Sequence, residues 1–129
     1  MSEPKKKEKK RILVVDDRPS DTQLVKLCLE RTNDYLVREE NNARDALAAA
    51  EEFRPDLILL DVMMPGMGGG ELASHFRENP ELADVPIIFL TGAITRREVE
   101  ARGGPNVPYL AKPVVLEEVI ACIEHHLGV

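Results

Sequence analysis

Tryptophan is missing from the 129 residues, and Phe, Tyr and Trp together make up only 4% of them. With so few rings, a core must be packed by Leu, Ile, Val and Ala. The hydrophobic fraction of 43% is enough for that, and it sets the chain apart from disordered sequences. Cysteine is scarce. Cys28 and Cys122 stand alone, outside any CxxC spacing and each inside an apolar helical pattern. Both are expected to be core thiols in a reducing cytoplasm rather than a disulfide or a metal centre. Long apolar runs are absent too, and none approaches the roughly 20 residues that span a membrane. Charged residues follow Met1 where the apolar stretch of a secretory signal would begin, so one cytoplasmic domain is expected.

The formal net charge of −6 is unevenly spread. Lys5, Lys6, Lys7, Lys9, Lys10 and Arg11 crowd the start against Glu3 and Glu8, so the remainder is more acidic than the total suggests. Residues 1–10 read as a basic, flexible leader and 11–129 as the folded domain. An acidic body argues against nucleic-acid binding by that domain. A short Lys/Glu run is ordinarily a solvated tail.

Along the chain, Ile12-Leu13-Val14-Val15 is an apolar, β-branched run that stops at Asp16-Asp17. Ser20 or Asp21 is placed to cap a helix carrying Leu24, Val25, Leu27, Cys28 and Leu29. Tyr35–Glu39 reads as an edge strand. Asn41 or Asn42 then caps a helix with Ala43, Ala46, Leu47, Ala50 and Phe53 on one stripe. Leu57-Ile58-Leu59-Leu60 ends in Asp61, and Ile87-Ile88-Phe89-Leu90 ends in Thr91. A short polar helix is expected around 95–102. Tyr109-Leu110-Ala111 ends in Lys112, and a last helix puts Leu116, Val119, Ile120, Ile123 and Leu127 on one face. Five alternations with wholly apolar central strands predict an α/β, doubly wound parallel sheet covered by helices on both faces.

In such a sheet, ligands bind outside the carboxyl ends of the strands. Asp16, Asp17, Asp61, Thr91 and Lys112 all follow the last apolar residue of a strand, so three carboxylates, a hydroxyl and an ammonium converge. Crowded carboxylates do not all ionise without a cation, and an all-oxygen set suits Mg²⁺ better than zinc. His75, His125 and His126 fall on helices and read as surface or half-buried residues. A carboxylate beside a divalent cation and a lysine can attack phosphorus, while no base is placed to activate another nucleophile. The pattern favours a phosphoacceptor over a hydrolase.

These residues resemble the receiver domain of two-component response regulators over residues 11–127, through VVDDR (14–18), LILLDVMMPGM (57–67), IIFLTGA (87–93) and YLAKPV (109–114). The resemblance implies a flavodoxin-like strand order 2-1-3-4-5. It implies Asp61 as phosphoacceptor, Mg²⁺ on Asp16, Asp17, Asp61 and the Met63 carbonyl, and phosphoryl contacts from Thr91 and Lys112. Thr91 and Tyr109 would form the switch, and Lys112-Pro113 would be a cis peptide aiming the lysine inward. The expected phosphodonor is a histidine kinase or histidine phosphotransfer protein, with output by protein contact or relay to a downstream protein. Only slow self-phosphorylation and autodephosphorylation are expected, as a monomer or weak dimer. A stand-alone receiver without an output domain after Val129 is expected; the alternative is a receiver fragment of a larger hybrid kinase or multidomain regulator, against which Met1 and the charged leader argue. A haloacid-dehalogenase-type phosphatase would need a second acid two residues after its nucleophile, and Arg18-Pro19 breaks that pattern. A phosphorylation-independent pseudo-receiver would have lost one of the key residues. Two departures from the family stand out. Gly68-Gly69-Gly70 predicts a loose helix start, since Gly costs about 1 kcal/mol in a helix interior. Gly103-Gly104-Pro105 closes a short, basic fourth helix.

Overall fold

The computed structural model describes residues 8–64, 66–92 and 108–128, with Thr91 by its backbone alone. The expected leader up to residue 7, the helix around 95–102 and Gly103-Gly104-Pro105 lie outside them. The elements run β1 (Lys10–Val15), α1 (Pro19–Glu30), β2 (Tyr35–Glu40), α2 (Ala43–Phe53), β3 (Leu57–Asp61), α3 (Gly69–Glu78), β4 (Ile87–Thr91), β5 (Tyr109–Ala111) and α4 (Leu116–Leu127). β1 thus begins at Lys10, one residue inside the stretch assigned to the leader. All pairings are parallel, and the strand order is β2-β1-β3-β4-β5. The expected doubly wound α/β fold is the observed one. Among the described residues, no helix is long and apolar enough to cross a membrane.

Side chains alternate across a strand, so one apolar run feeds two cores. Leu13, Val15, Ile58, Leu60 and Phe89 pack against Ala43, Ala46 and Ala50 of α2 and Leu72, Ala73 and Phe76 of α3. Ile12, Val14, Leu57, Leu59, Ile88 and Leu90 face the other way, onto Val25 and Leu29 of α1 and Val119 and Ile123 of α4. The β1 and β3 residues among them are fully buried, each contributing about 1.5–3 kcal/mol on leaving water. The small alanine face of α2 is what lets that helix sit close to the sheet.

Three local expectations change. Neither Ser20 nor Asp21 caps α1. Arg18 is the N-cap residue, without a side-chain cap, and Pro19 opens the helix, where its fixed φ and missing N–H cost nothing. Asn42 does cap α2, accepting from Arg44 N at 2.9 Å, whereas the alternative Asn41 is used elsewhere. The cysteines are not core residues but half-buried, and both are free. On α1, only Val25 and Leu29 of the apolar set are buried, while Leu24 and Leu27 are 45% and 61% exposed.

Candidate functional site at the strand ends

The register sets where the strands stop. Val15 lies beside both Glu40 and Leu60, Asp61 beside Leu90, and Thr91 beside Ala111. The residues that follow the apolar runs therefore emerge along one edge of the sheet. Asp16, Asp17 and Asp61 each offer a carboxylate oxygen within 4.8 Å of the others. Asp16 is fully buried, Asp61 is 4% exposed and Asp17 is half-buried. Above them opens a cleft of about 400 Å³ lined by Asp17, Arg18, Asp21, Asp61, Met63, Gly92 and Lys112.

Lys112 arrives from the end of β5, through a Lys112–Pro113 peptide that is cis, as the resemblance implied. Its Nζ pairs with Asp16 Oδ2, with Asp21 Oδ2 at 3.2 Å and with Asp61 Oδ1 at 3.6 Å. The Met63 N–H also donates to Asp61 Oδ1, at 3.3 Å, while its side chain is exposed. Burial pushes the Asp61 carboxyl up to about 6, and the Asp16 charge adds to this. The Lys112 ammonium and the Met63 N–H pull it back, and Asp17 pushes it up again. For Lys112, burial works against the charged form. Its hydrogen bond to Asp16 and the Asp61 charge outweigh that, so its pKa rises.

Asp16 is held from behind. Its Oδ1 accepts from Arg18 N at 3.0 Å, which turns the chain into α1, and its main-chain carbonyl accepts from Asn41 Nδ2 at 2.8 Å. Asn41 also donates to Thr22 Oγ1 at 3.0 Å, and buried Thr22 donates to Glu39 at 2.8 Å. This support, absent from the sequence reading, ties the end of β2 to the acidic cluster. Asp21, expected at most to cap α1, joins the site through Lys112 instead. The signal available was a third acid four positions after Asp17, at the start of a helix. The glycine tract also takes on a different meaning. A Cβ on Gly69 would lie 2.3 Å from the Asp61 carbonyl oxygen and 2.9 Å from Val62 Cα. Gly69 is there because α3 presses its first turn onto the end of β3, with the Gly69 N–H donating to Val62 O at 3.0 Å. The helix start is close-packed, not loose.

Asp16, Asp17, Asp61 and Lys112 are thus brought together as expected. Tyr109 sits apart on β5, half-buried against the α2–α3 side of the core. The Thr91 hydroxyl lies outside the described residues. His75 and His125 are exposed and His126 is half-buried, donating its Nδ1–H to the Cys122 carbonyl oxygen at 2.8 Å. The donor set fits a hard divalent cation: three oxygen ligands, one of them costly to ionise where it stands, beside a cleft roomy enough for water.

The family model for the response regulator receiver domain matches residues 12–124. The chain belongs to that family. DivK of Brucella anthropi, a polar-differentiation response regulator, is 31% identical over 120 residues, covering 92% of this chain and 97% of DivK. The chemotaxis protein CheY4 of Vibrio cholerae superposes with a TM-score of 0.84 at 30% identity, over 93% of this receiver and all of CheY4. The receiver domain of a histidine kinase from Syntrophus aciditrophicus gives 0.80 at 30% identity, over 92% of this chain and 90% of that one. The chain is a receiver domain of two-component signalling, a signalling module rather than an enzyme of the usual kind.

Proposed function

We propose that this receiver accepts a phosphoryl group on Asp61 from a histidine kinase or histidine phosphotransfer protein. One observation carries the reading: a nearly buried carboxylate at the end of β3 faces an open cleft with the Lys112 ammonium 3.6 Å away. An Asp61 oxygen attacks phosphorus, and the bond to the donor breaks with its electron pair leaving on the donor. Lys112 and the Met63 N–H stand where they can stabilise charge on the transferred group and on the carboxylate. Asp16, Asp17, Asp61 and the Met63 carbonyl are the groups that would hold Mg²⁺. When bound, the ion supplies positive charge to the phosphoryl oxygens and offsets the acidic cluster. Thr91 would contact the same oxygens from the end of β4. Onward signalling is by protein contact or relay, in the cytoplasm, as the two free cysteines favour. Incubation with acetyl phosphate and Mg²⁺ tests the reading. One alkali-labile phosphoryl group on Asp61 is expected, and a stable label on another residue would overturn it.

Titration with Mg²⁺ is expected to move the amide resonances of Asp16, Asp17 and Asp61. Asp17→Asn is expected to weaken binding by roughly tenfold or more, since even outer partners of metal sites carry that much. Unmoved amides in the wild type would remove the metal from the mechanism. Tyr109 is proposed as the switch residue, coupled to Thr91 through the β4–β5 pair. With beryllofluoride as the phosphoryl mimic, the Tyr109 ring resonances are expected to shift along with those of the pocket. A ring that keeps its environment would place the output surface elsewhere.

A further inference from the structure

Lys112 is shared between carboxylates of two kinds. Asp16 and Asp61 belong to the crowded trio whose oxygens a cation would claim. Asp21 does not belong to that trio, yet its Oδ2 accepts from Lys112 Nζ at 3.2 Å. It stands in the first turn of α1, at the rim of the cleft, with its side chain 35% exposed. A cation held by the trio would offset the negative charge that Asp16 and Asp61 present to the lysine and would place a positive charge beside it. An ammonium on a flexible four-carbon stem then swings toward water unless something else holds it. Asp21 is the described partner that the cation leaves free to do so.

We propose that Asp21 is a positioning residue that keeps the Lys112 ammonium at the cleft once a divalent cation has engaged Asp16 and Asp61, and so sets the rate at which Asp61 is phosphorylated. The proposal rests on Asp61 being the acceptor. The competing role for Asp21 is purely structural, since an acid in a first turn also stabilises its helix through the helix dipole. The two roles separate because only one of them acts through the lysine.

The test compares wild type, Asp21→Asn and Asp21→Glu at saturating Mg²⁺ and acetyl phosphate. Alongside the rate, the Lys112 side-chain Nζ and Cε resonances are followed by NMR. Asp21→Asn is expected to label about fivefold more slowly, the scale of one partly exposed ion pair lost, with its Lys112 resonances moved toward those of a solvated lysine. Asp21→Glu, which restores the charge, is expected to recover most of the rate. A lowered melting temperature in Asp21→Asn, with wild-type rate and unmoved Lys112 resonances, would leave only the dipole role and overturn the proposal. Wild-type protein that takes no label on Asp61 would instead bring down the acceptor reading, and this proposal with it.

Discussion

Asp61→Asn protein is expected to take up no phosphoryl group and, in metal-free buffer at neutral pH, to melt above the wild type. Burial and the Asp16 charge raise the Asp61 carboxyl from 3.8 to about 6. Between those two values the folded protein keeps a proton that the unfolded chain has released, so stability falls as pH rises through that window. Above the folded-state value the whole cost is present, on the order of 2–3 kcal/mol for an almost completely buried group. An asparagine of the same shape carries no such cost, and Lys112 keeps Asp16 and Asp21 as partners. The melting temperature of the variant should therefore exceed that of the wild type by roughly 5–10 °C at pH 7. The gap should close toward pH 4, where both side chains are neutral. Mg²⁺ should narrow it by stabilising the wild type, which keeps all three carboxylates, more than the variant. Thermal melts at several pH values with chelator, beside the acetyl phosphate assay, read both halves. Equal stability across the range would mean that the carboxylate is accommodated without cost, and labelling that survives the substitution would exclude Asp61 as acceptor.

The difference between what was legible in the sequence and what was not follows the range of the interactions. Strands buried on both faces must be apolar throughout, so their ends are marked by the first acid, hydroxyl or lysine. Asp16, Asp61 and Lys112 could be placed on that ground before any contact was known. The strand order needed the family resemblance, because periodicity says nothing about which strand lies beside which. The role of Asp21 is not legible locally because its partner Lys112 lies across the fold, just past the end of β5, and an acid at a helix start has a sufficient local explanation. The choice between Asn41 and Asn42 was open for a similar reason: two adjacent asparagines suit one cap, and only the approach of β1 shows that Asn42 takes it and Asn41 holds Asp16. On α1, Pro19 rather than Ser20 opens the helix, which shifts the expected start without changing the face that packs. Leu24, Leu27 and Cys28 exceed what the one buried stripe of α1 can take in, and composition alone does not say which positions are left at the surface.

The glycine tract after β3 should divide sharply under substitution. At Gly68 the nearest atom to an added Cβ is the Val62 carbonyl oxygen at 3.8 Å, an ordinary contact, and the residue is the N-cap of α3 in an extended conformation. Gly68→Ser adds a capping hydroxyl without a clash, so a gain of a few tenths of a kcal/mol is expected. At Gly69 the same added carbon meets main chain at 2.3 Å and 2.9 Å, and neither atom is the end of a flexible side chain. α3 must then back away or the Asp61–Val62 segment must move, against two fully formed cores. Gly69→Ala is therefore expected to cost about 3 kcal/mol, the upper end of the usual range for overpacking. That corresponds to a fall of roughly 10 °C in melting temperature. The strained segment carries Asp61 itself and leads into Met63, whose N–H is bonded to the Asp61 carboxylate. Phosphorylation of Gly69→Ala, measured well below its melting transition, should accordingly be slowed while Gly68→Ser keeps the wild-type rate. A Gly69→Ala protein as stable and as readily labelled as Gly68→Ser would show that α3 does not brace the acceptor strand.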